Sequence, residues 1–204
     1  GVQAVLDLRL PSARYQVDKG RKVVHFWRAS VVRQRRRKPD EEVAAVKWVP
    51  AAEALKKVTY DTDRVAIEHA LKAPRTNVLL IVRHAKAMQR KHWTGNDQHR
   101  RLSGRGRRQA KRLADLLAAF GIERLVSSSS ERCVQTLQPY AKAARLEIEK
   151  VDALTEESGS KNPKAVRKYL TDLLKHLDTP TAVCGHRPIL PDMYAGLGME
   201  SAPM

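Results

Sequence analysis

Two histidines and two arginines stand just past short apolar runs in this chain, where they could carry out phosphoryl transfer. The first run is Val78-Leu79-Leu80-Ile81-Val82, followed by Arg83-His84-Ala85-Lys86-Ala87. Five apolar, largely β-branched residues ending in Arg-His read as a fully buried strand that delivers both side chains at its C-terminal end. In open parallel α/β sheets, ligands bind beyond the carboxyl ends of the strands. A neutral imidazole there can attack phosphorus, and the adjacent guanidinium can hold the equatorial oxygens. Taken alone, Arg83-His84 could equally cap a strand and face solvent, but the design recurs. Leu125-Val126 leads through Ser127-Ser128-Ser129-Ser130-Glu131 to Arg132 and a helix beginning, and Thr181-Ala182-Val183-Cys184-Gly185 ends in His186-Arg187. Between them, Leu154-Thr155-Glu156-Glu157-Ser158-Gly159 places two carboxylates in a loop. An attacking imidazole, cations around the phosphoryl group and a carboxylic acid to protonate the leaving oxygen make up a covalent phosphohistidine mechanism.

The elements that must position these groups follow from periodicity. Arg105 to Phe120 is an amphipathic helix with Ala110, Leu113, Leu116, Leu117 and Phe120 on one face, Ser103 as N-cap and Gly121 as stop. A strand runs from Ile122 to Val126, and Leu146 to Val151 alternates as an exposed-edge strand. Pro163 to Leu177 is a helix with Val166, Tyr169, Leu170, Leu173, Leu174 and Leu177 inward, and Leu190 to Leu197 a closing helix, after which the last residues are expected to fray. Alternating strands and helices give a parallel-rich sheet covered on both faces. The Met88 to Asp97 connection is long, as functional or mobile loops are.

This ordered set resembles the histidine phosphatase superfamily, with the phosphoglycerate mutase-like fold. Arg83-His84 matches its signature, Leu102-Ser103-Gly104-Arg105-Gly106-Arg107-Arg108-Gln109-Ala110 its "L-S/T-x-x-G-x-x-Q-A" helix start, Ser129 to Thr136 its "S-x-x-R-x-x-Q-T", and Gly185-His186 its second-histidine turn. Ala85 stands where Gly is usual, and Arg-His-Ala-Lys-Ala is most similar to the small SixA-like branch. The resemblance implies a three-layer α/β/α domain over residues 78–204. Chemistry and resemblance together make His84 the nucleophile, Arg83 and Arg132 the phosphate clamps, and His186 a stabiliser of transition-state charge. The proton donor is Glu156 or Glu157; Glu156 is preferred because it comes first after Leu154-Thr155, and an acid working near neutral pH needs a raised pKa. Lys86 is a candidate to screen the phosphate. Arg90, Arg187 and Trp93 are candidate substrate contacts, although Trp93 reads better as a hydrophobic plug than as a base platform. The serines read as a turn and Cys133 and Cys184 as small packing residues.

Composition bounds the rest. The 204 residues suit one domain, or one plus a partial one, and 42% hydrophobic residues suffice for a core. No run approaches a membrane span, and the opening Gly-Val-Gln-Ala-Val has neither a signal peptide nor an initiator Met. Two cysteines beside candidate site residues point to a reducing cytoplasm rather than a disulfide framework. The net charge of +17 clusters at Arg33-Gln34-Arg35-Arg36-Arg37-Lys38 and from Lys86 to Arg112. It suits nucleotides as well as nucleic acid, and only 5% aromatics argues against a stacking platform for single strands. The Cys and His residues lack metal-ligand spacing, so neither metal nor other cofactor is expected in the phosphatase step.

Residues 1–72 read as an incomplete α+β piece: strands at Val2–Leu10 and Lys22–Val32, a basic turn, a third extended segment at Glu42–Val49, then helices from Pro50 and from Asp61, with 73–77 as linker. The pieces Lys22 to Trp27, Glu41 to Pro50 and Thr59 to Asp63 resemble the C-terminal half of a MutT-like Nudix hydrolase. A Nudix half followed by an Arg-His-Ala phosphatase resembles a two-domain bacterial architecture. That resemblance implies action on oxidised guanine nucleotides and dinucleoside polyphosphates. The glutamates of a Nudix box would precede Gly1-Val2, so Mg²⁺ is expected only if a complete Nudix domain is supplied, by the missing half or by another copy of the chain. The expected function is therefore a phosphohistidine-forming phosphatase of nucleoside di- or triphosphates. The alternatives are a SixA-like protein phosphohistidine phosphatase and a non-catalytic basic module binding nucleic acid or a partner chain.

Overall fold

The computed structural model describes residues 1–18, 20–35 and 38–200. Arg36 and Arg37 of the basic run, and the last residues expected to fray, lie outside the described residues. The chain divides into two compact units, Gly1–Thr76 and Asn77–Met204.

In the first unit, β1 (Val2–Arg9) pairs antiparallel with β4 (Trp27–Gln34), and β2 (Ala13–Val17) pairs with β3 (Gly20–Val24). The run Lys22–Val32, read as one strand, is thus two. The reason is a change of partner: β3 pairs with β2 and β4 with β1, and the chain breaks at His25-Phe26, where the Phe26 carbonyl accepts from the Leu10 amide and the His25 ring meets Ser12 and Arg9. Strand β2, Ala13-Arg14-Tyr15-Gln16-Val17, alternates apolar and polar residues but is only five residues long, and it went unread. Glu42–Val49 is not a strand; the Asp40 carboxylate accepts from the amides of Glu42 and Val43, turning the backbone away from a ladder. Two helices follow, α1 (Ala51–Lys57) and α2 (Asp61–Lys72). Arg28 ties this unit together: its Nε donates to both Asp7 oxygens, and its Nη atoms donate to the carbonyls of Ala73 and Pro74.

The second unit is a three-layer α/β/α fold. Strands β5 (Leu79–Arg83), β6 (Arg124–Ser128), β7 (Ile148–Val151) and β8 (Thr181–Gly185) form a parallel sheet in the order β5-β8-β6-β7. Helices α3 (Gly104–Ala119) and α4 (Glu131–Ala144) cover one face, where Leu117, Leu137 and Cys133 pack with Leu80 and Val82. Helices α6 (Pro163–Lys175) and α7 (Leu190–Gly196) cover the other, where Val166, Leu170 and Met193 pack with Leu79 and Ile81. The 79–82 run is continuously apolar because its alternate side chains enter two different cores. It is half-buried rather than fully buried, since β5 lies at an edge of the described sheet. The carboxylate segment is not a loop: Glu156 and Glu157 open α5 (Glu156–Lys161), whose first turn is capped by the Thr155 hydroxyl accepting from the Ser158 amide. Thr followed by two acids is an N-terminal helix signature that the sequence did carry.

Candidate active site

His84 follows the last residue of β5, and its backbone amide continues the ladder to the Gly185 carbonyl at 3.1 Å. Its Nδ1 lies 2.8 Å from the Ala85 carbonyl. A carbonyl only accepts, so Nδ1 carries the proton and Nε2 keeps its lone pair. The Ala85 amide, bonded to Thr136 Oγ1 at 2.9 Å, fixes the turn that holds this ring. Burial, reinforced by the proximity of His186, Arg132 and Arg83, lowers the His84 pKa to about 4 against the push of the Ala85 bond. The imidazole is therefore neutral, the form a nucleophile needs.

Arg132 and His186 close on this ring from other strand ends. The rings of His84 and His186 lie 5.2 Å apart, centre to centre. His186, fully buried, meets Ser128 Oγ at 2.9 Å and Cys133 Sγ at 3.4 Å through Nε2, while its Nδ1 has no hydrogen-bond partner. Arg132 is also fully buried, in the first turn of α4. Its Nη1 donates to the Asp97 carbonyl (2.8 Å) and its Nη2 to Glu156 Oε2 (3.2 Å), whereas Nε has no partner. Arg132 Nε, His186 Nδ1 and Ser130 Oγ are thus buried polar atoms without a partner. With His186 Nδ1, the ring nitrogen nearer the Glu156 carboxylate, carrying the proton, Arg132 and His186 make a receptor for an anion beside a neutral imidazole, because a buried polar group without a partner is costly.

Among the carboxylates, Glu156 joins the cluster and Glu157 does not. Glu156 accepts from Arg132 and, at 2.8 Å, from Arg90, and its Oε2 lies 3.9 Å from His186 Nδ1. Glu157 is exposed and lines a separate cleft with Asn96, Gln98 and Asp152. Burial pushes the Glu156 carboxyl up, but the Arg90 bond and the charges of Arg90, Arg132 and His186 outweigh it and hold the group below its usual range. The raised pKa expected of a donor is thus not what these partners produce. Asp97, unread in the sequence, is the second carboxylate: Arg100 binds it at 2.7 Å, Arg90 and Arg132 flank it, and chiefly the Arg100 bond lowers its pKa to about 2.

These residues match a known family. Residues 79–176 match the histidine phosphatase superfamily (branch 1). The C-terminal unit is a histidine phosphatase domain. The relatives it matches are named as phosphatases. A relative from Mycolicibacterium smegmatis named 8-oxo-(d)GTP phosphatase is 33% identical over 194 residues, 95% of this chain. The chain spans 60% of that relative's length. The structure of the protein histidine phosphatase SixA complexed with tungstate is 27% identical, with a TM-score of 0.52 over 62% of this chain and 80% of that one.

In the histidine phosphatase domain, Arg83, His84 and Lys86 line a cleft of about 730 Å³ together with Arg100, Arg105, Gln109 and Thr136. Gly106 is required here, since a Cβ would come to 2.0 Å from the Lys86 carbonyl oxygen. Arg90 belongs to the carboxylate cluster described above. Trp93 donates its indole N–H to the Asn96 carbonyl at 3.0 Å and packs on Gly95 within its own loop. Arg187 is exposed at the turn after His186. The serines are more than a turn: besides the bond from Ser128 to His186, Ser129 bonds Asp152 and Gln98. Cys133 and Cys184 are buried in the core, free of disulfide. Among the described residues, no group of three or more His, Cys, Asp or Glu could hold a metal ion, and no helix is long and apolar enough to cross a membrane.

Proposed function

We propose that the chain hydrolyses nucleoside di- or triphosphates through a phosphohistidine on His84. The observation that carries this reading is the pair of buried, unpartnered nitrogens, Arg132 Nε and His186 Nδ1, in the cluster around an imidazole whose Nδ1 is engaged by the Ala85 carbonyl, leaving Nε2 to react. Nε2 attacks the terminal phosphorus and the bond to the leaving oxygen breaks. Arg83, Arg132 and His186 take the charge on the equatorial oxygens. An incoming phosphoryl dianion competes for Arg132 and Arg90 and adds negative charge beside Glu156, which raises its affinity for the proton it hands to the leaving oxygen. Water then attacks the phosphohistidine, Glu156 takes the water's proton, and inorganic phosphate leaves a free imidazole. No metal is used in this step; the cations are side chains of the chain itself.

The nucleotide class, with oxidised guanine nucleotides foremost, is supported by the name of the M. smegmatis relative and by an alignment that reaches into the first unit. We further infer that residues 1–72 are the C-terminal half of a Nudix fold, whose Mg²⁺ glutamates would come from a preceding half or another chain. The likeness to SixA favours a second reading, dephosphorylation of protein phosphohistidine.

The test is phosphate release in EDTA from nucleoside di- and triphosphates, 8-oxo-guanine nucleotides and a phosphohistidine peptide. Release from nucleotides in EDTA is the expected result; release from the peptide alone would replace this reading with the second. Glu156→Gln is expected to cut turnover on the order of 10²-fold where the leaving oxygen needs a proton, as in a ribose ester. The loss should be much smaller for p-nitrophenyl phosphate, whose phenolate leaves unprotonated. Equal losses on both would remove Glu156 from the acid role.

A further inference from the structure

We propose that Lys86 and Arg105 form a second phosphate subsite beside His84, so that the cleft selects substrates carrying at least two linked phosphates. The inference rests on the phosphatase reading above and assigns a binding role to Arg105.

The charges around the site divide in two. Arg90, Arg100 and Arg132 all make ion pairs with Asp97 or Glu156, so the inner cluster carries its own counter-charge. Arg83, Lys86 and Arg105 line the cleft beside His84, and among the described residues none of the three has an ion-pair partner. Arg83 adjoins the nucleophile and serves the transferred phosphoryl group. Lys86 and Arg105 remain, two cations on one wall with nothing to neutralise them. Solvated surface cations are ordinary, but these two are held on one rigid corner. The Lys86 amide donates to Gln109 Oε1 at 2.9 Å, and its carbonyl accepts from both the amide and the hydroxyl of Ser103, each at 2.9 Å. Gly106, next to Arg105, lets the α3 backbone close onto that same carbonyl. Backbone preorganisation of this kind lowers the cost of holding an anion between two long side chains. The cleft, at about 730 Å³, is in the range of small-molecule sites (roughly 300–1,000 Å³); His84 lines it but Arg132, His186 and Glu156 do not, so it offers room beside the transferred phosphoryl group for a second one.

The experiment is calorimetric titration of the full chain, in EDTA, with inorganic phosphate and with methylenediphosphonate, whose P–C–P link cannot be hydrolysed. Wild type is expected to prefer the bisphosphonate, and Arg105→Gln to reduce that preference about 10-fold, the scale of one charge-assisted hydrogen bond at a solvated site. Lys86→Gln should act in the same direction. Arg108→Gln removes the same charge from the same helix, outside the cleft lining, and should leave the preference within about 2-fold. Equal effects of Arg105→Gln and Arg108→Gln would reduce the subsite to a diffuse field and overturn the proposal, as would a wild type with no bisphosphonate preference. Failure of the phosphatase reading is distinguishable: no phosphorylated substrate would release phosphate, while the binding preference stood.

Discussion

His84→Ala is expected to lower phosphate release by more than about 10⁴-fold and to abolish acid-labile phosphate on the protein, because no other group in the site offers an unprotonated nitrogen to phosphorus. Retention of even one-hundredth of the activity would remove His84 from the nucleophile role. The same ring predicts an acid-shifted pH profile. At about pH 5.5 an ordinary histidine would be roughly nine-tenths protonated, whereas His84, with its pKa near 4, is almost wholly neutral. Once the substrate's own titration is allowed for, the acid limb of kcat/KM should fall near pH 4 to 5 rather than near 6.5. A limb at about 6.5 would overturn the assignment of a desolvated, neutral ring at His84. The linked stability effect has a definite sign. Below about pH 6.5 the unfolded chain takes up a proton that the native ring refuses, so this group lowers stability progressively from 6.5 towards 4 and has no such effect above that window.

Arg132→Ala should be the most damaging change outside the nucleophile. The loss in kcat/KM is expected to be roughly 10³-fold, the scale of removing one preorganised donor from developing charge. The fold should also weaken, by about 3 kcal/mol in urea titration. The substitution empties a fully buried position and strips the Asp97 carbonyl and Glu156 of a shared donor, although Arg90 and Arg100 still neutralise the two carboxylates. Arg132→Lys should restore charge but little activity. A single ammonium cannot reach Asp97 and Glu156 while leaving a third donor free for phosphate. Full rescue by Lys would show that only the charge mattered; unchanged activity in the Ala variant would take Arg132 out of the phosphate clamp.

The features readable in advance were those whose signal is local. A β-branched run ending in Arg-His, a hydroxyl turn leading into Arg132, and Gly185-His186 each state their element within a few residues, because strand burial and turn chemistry act over that range. The misreadings have a common cause. Lys22–Val32 looked like one strand because partner exchange at His25-Phe26 leaves no mark on composition. Glu42–Val49 was apolar enough to read as an extended segment yet pairs with no strand among the described residues, and an unpaired ladder has nothing to hold it.

What the sequence determined by itself was the set of strand-end residues and the chemistry they could do, since residue type and strand period are enough to place a side chain beyond a sheet edge. The tertiary structure alone decided which carboxylates join the Arg132 cluster. Glu156 and Glu157 are adjacent, but a helix turns about 100° per residue, so capping at Thr155 sends one towards Arg132 and the other to solvent. Asp97, in a polar loop 35 residues before Arg132, joins the site only because chain closure brings it there, and a contact across that separation has no local signature.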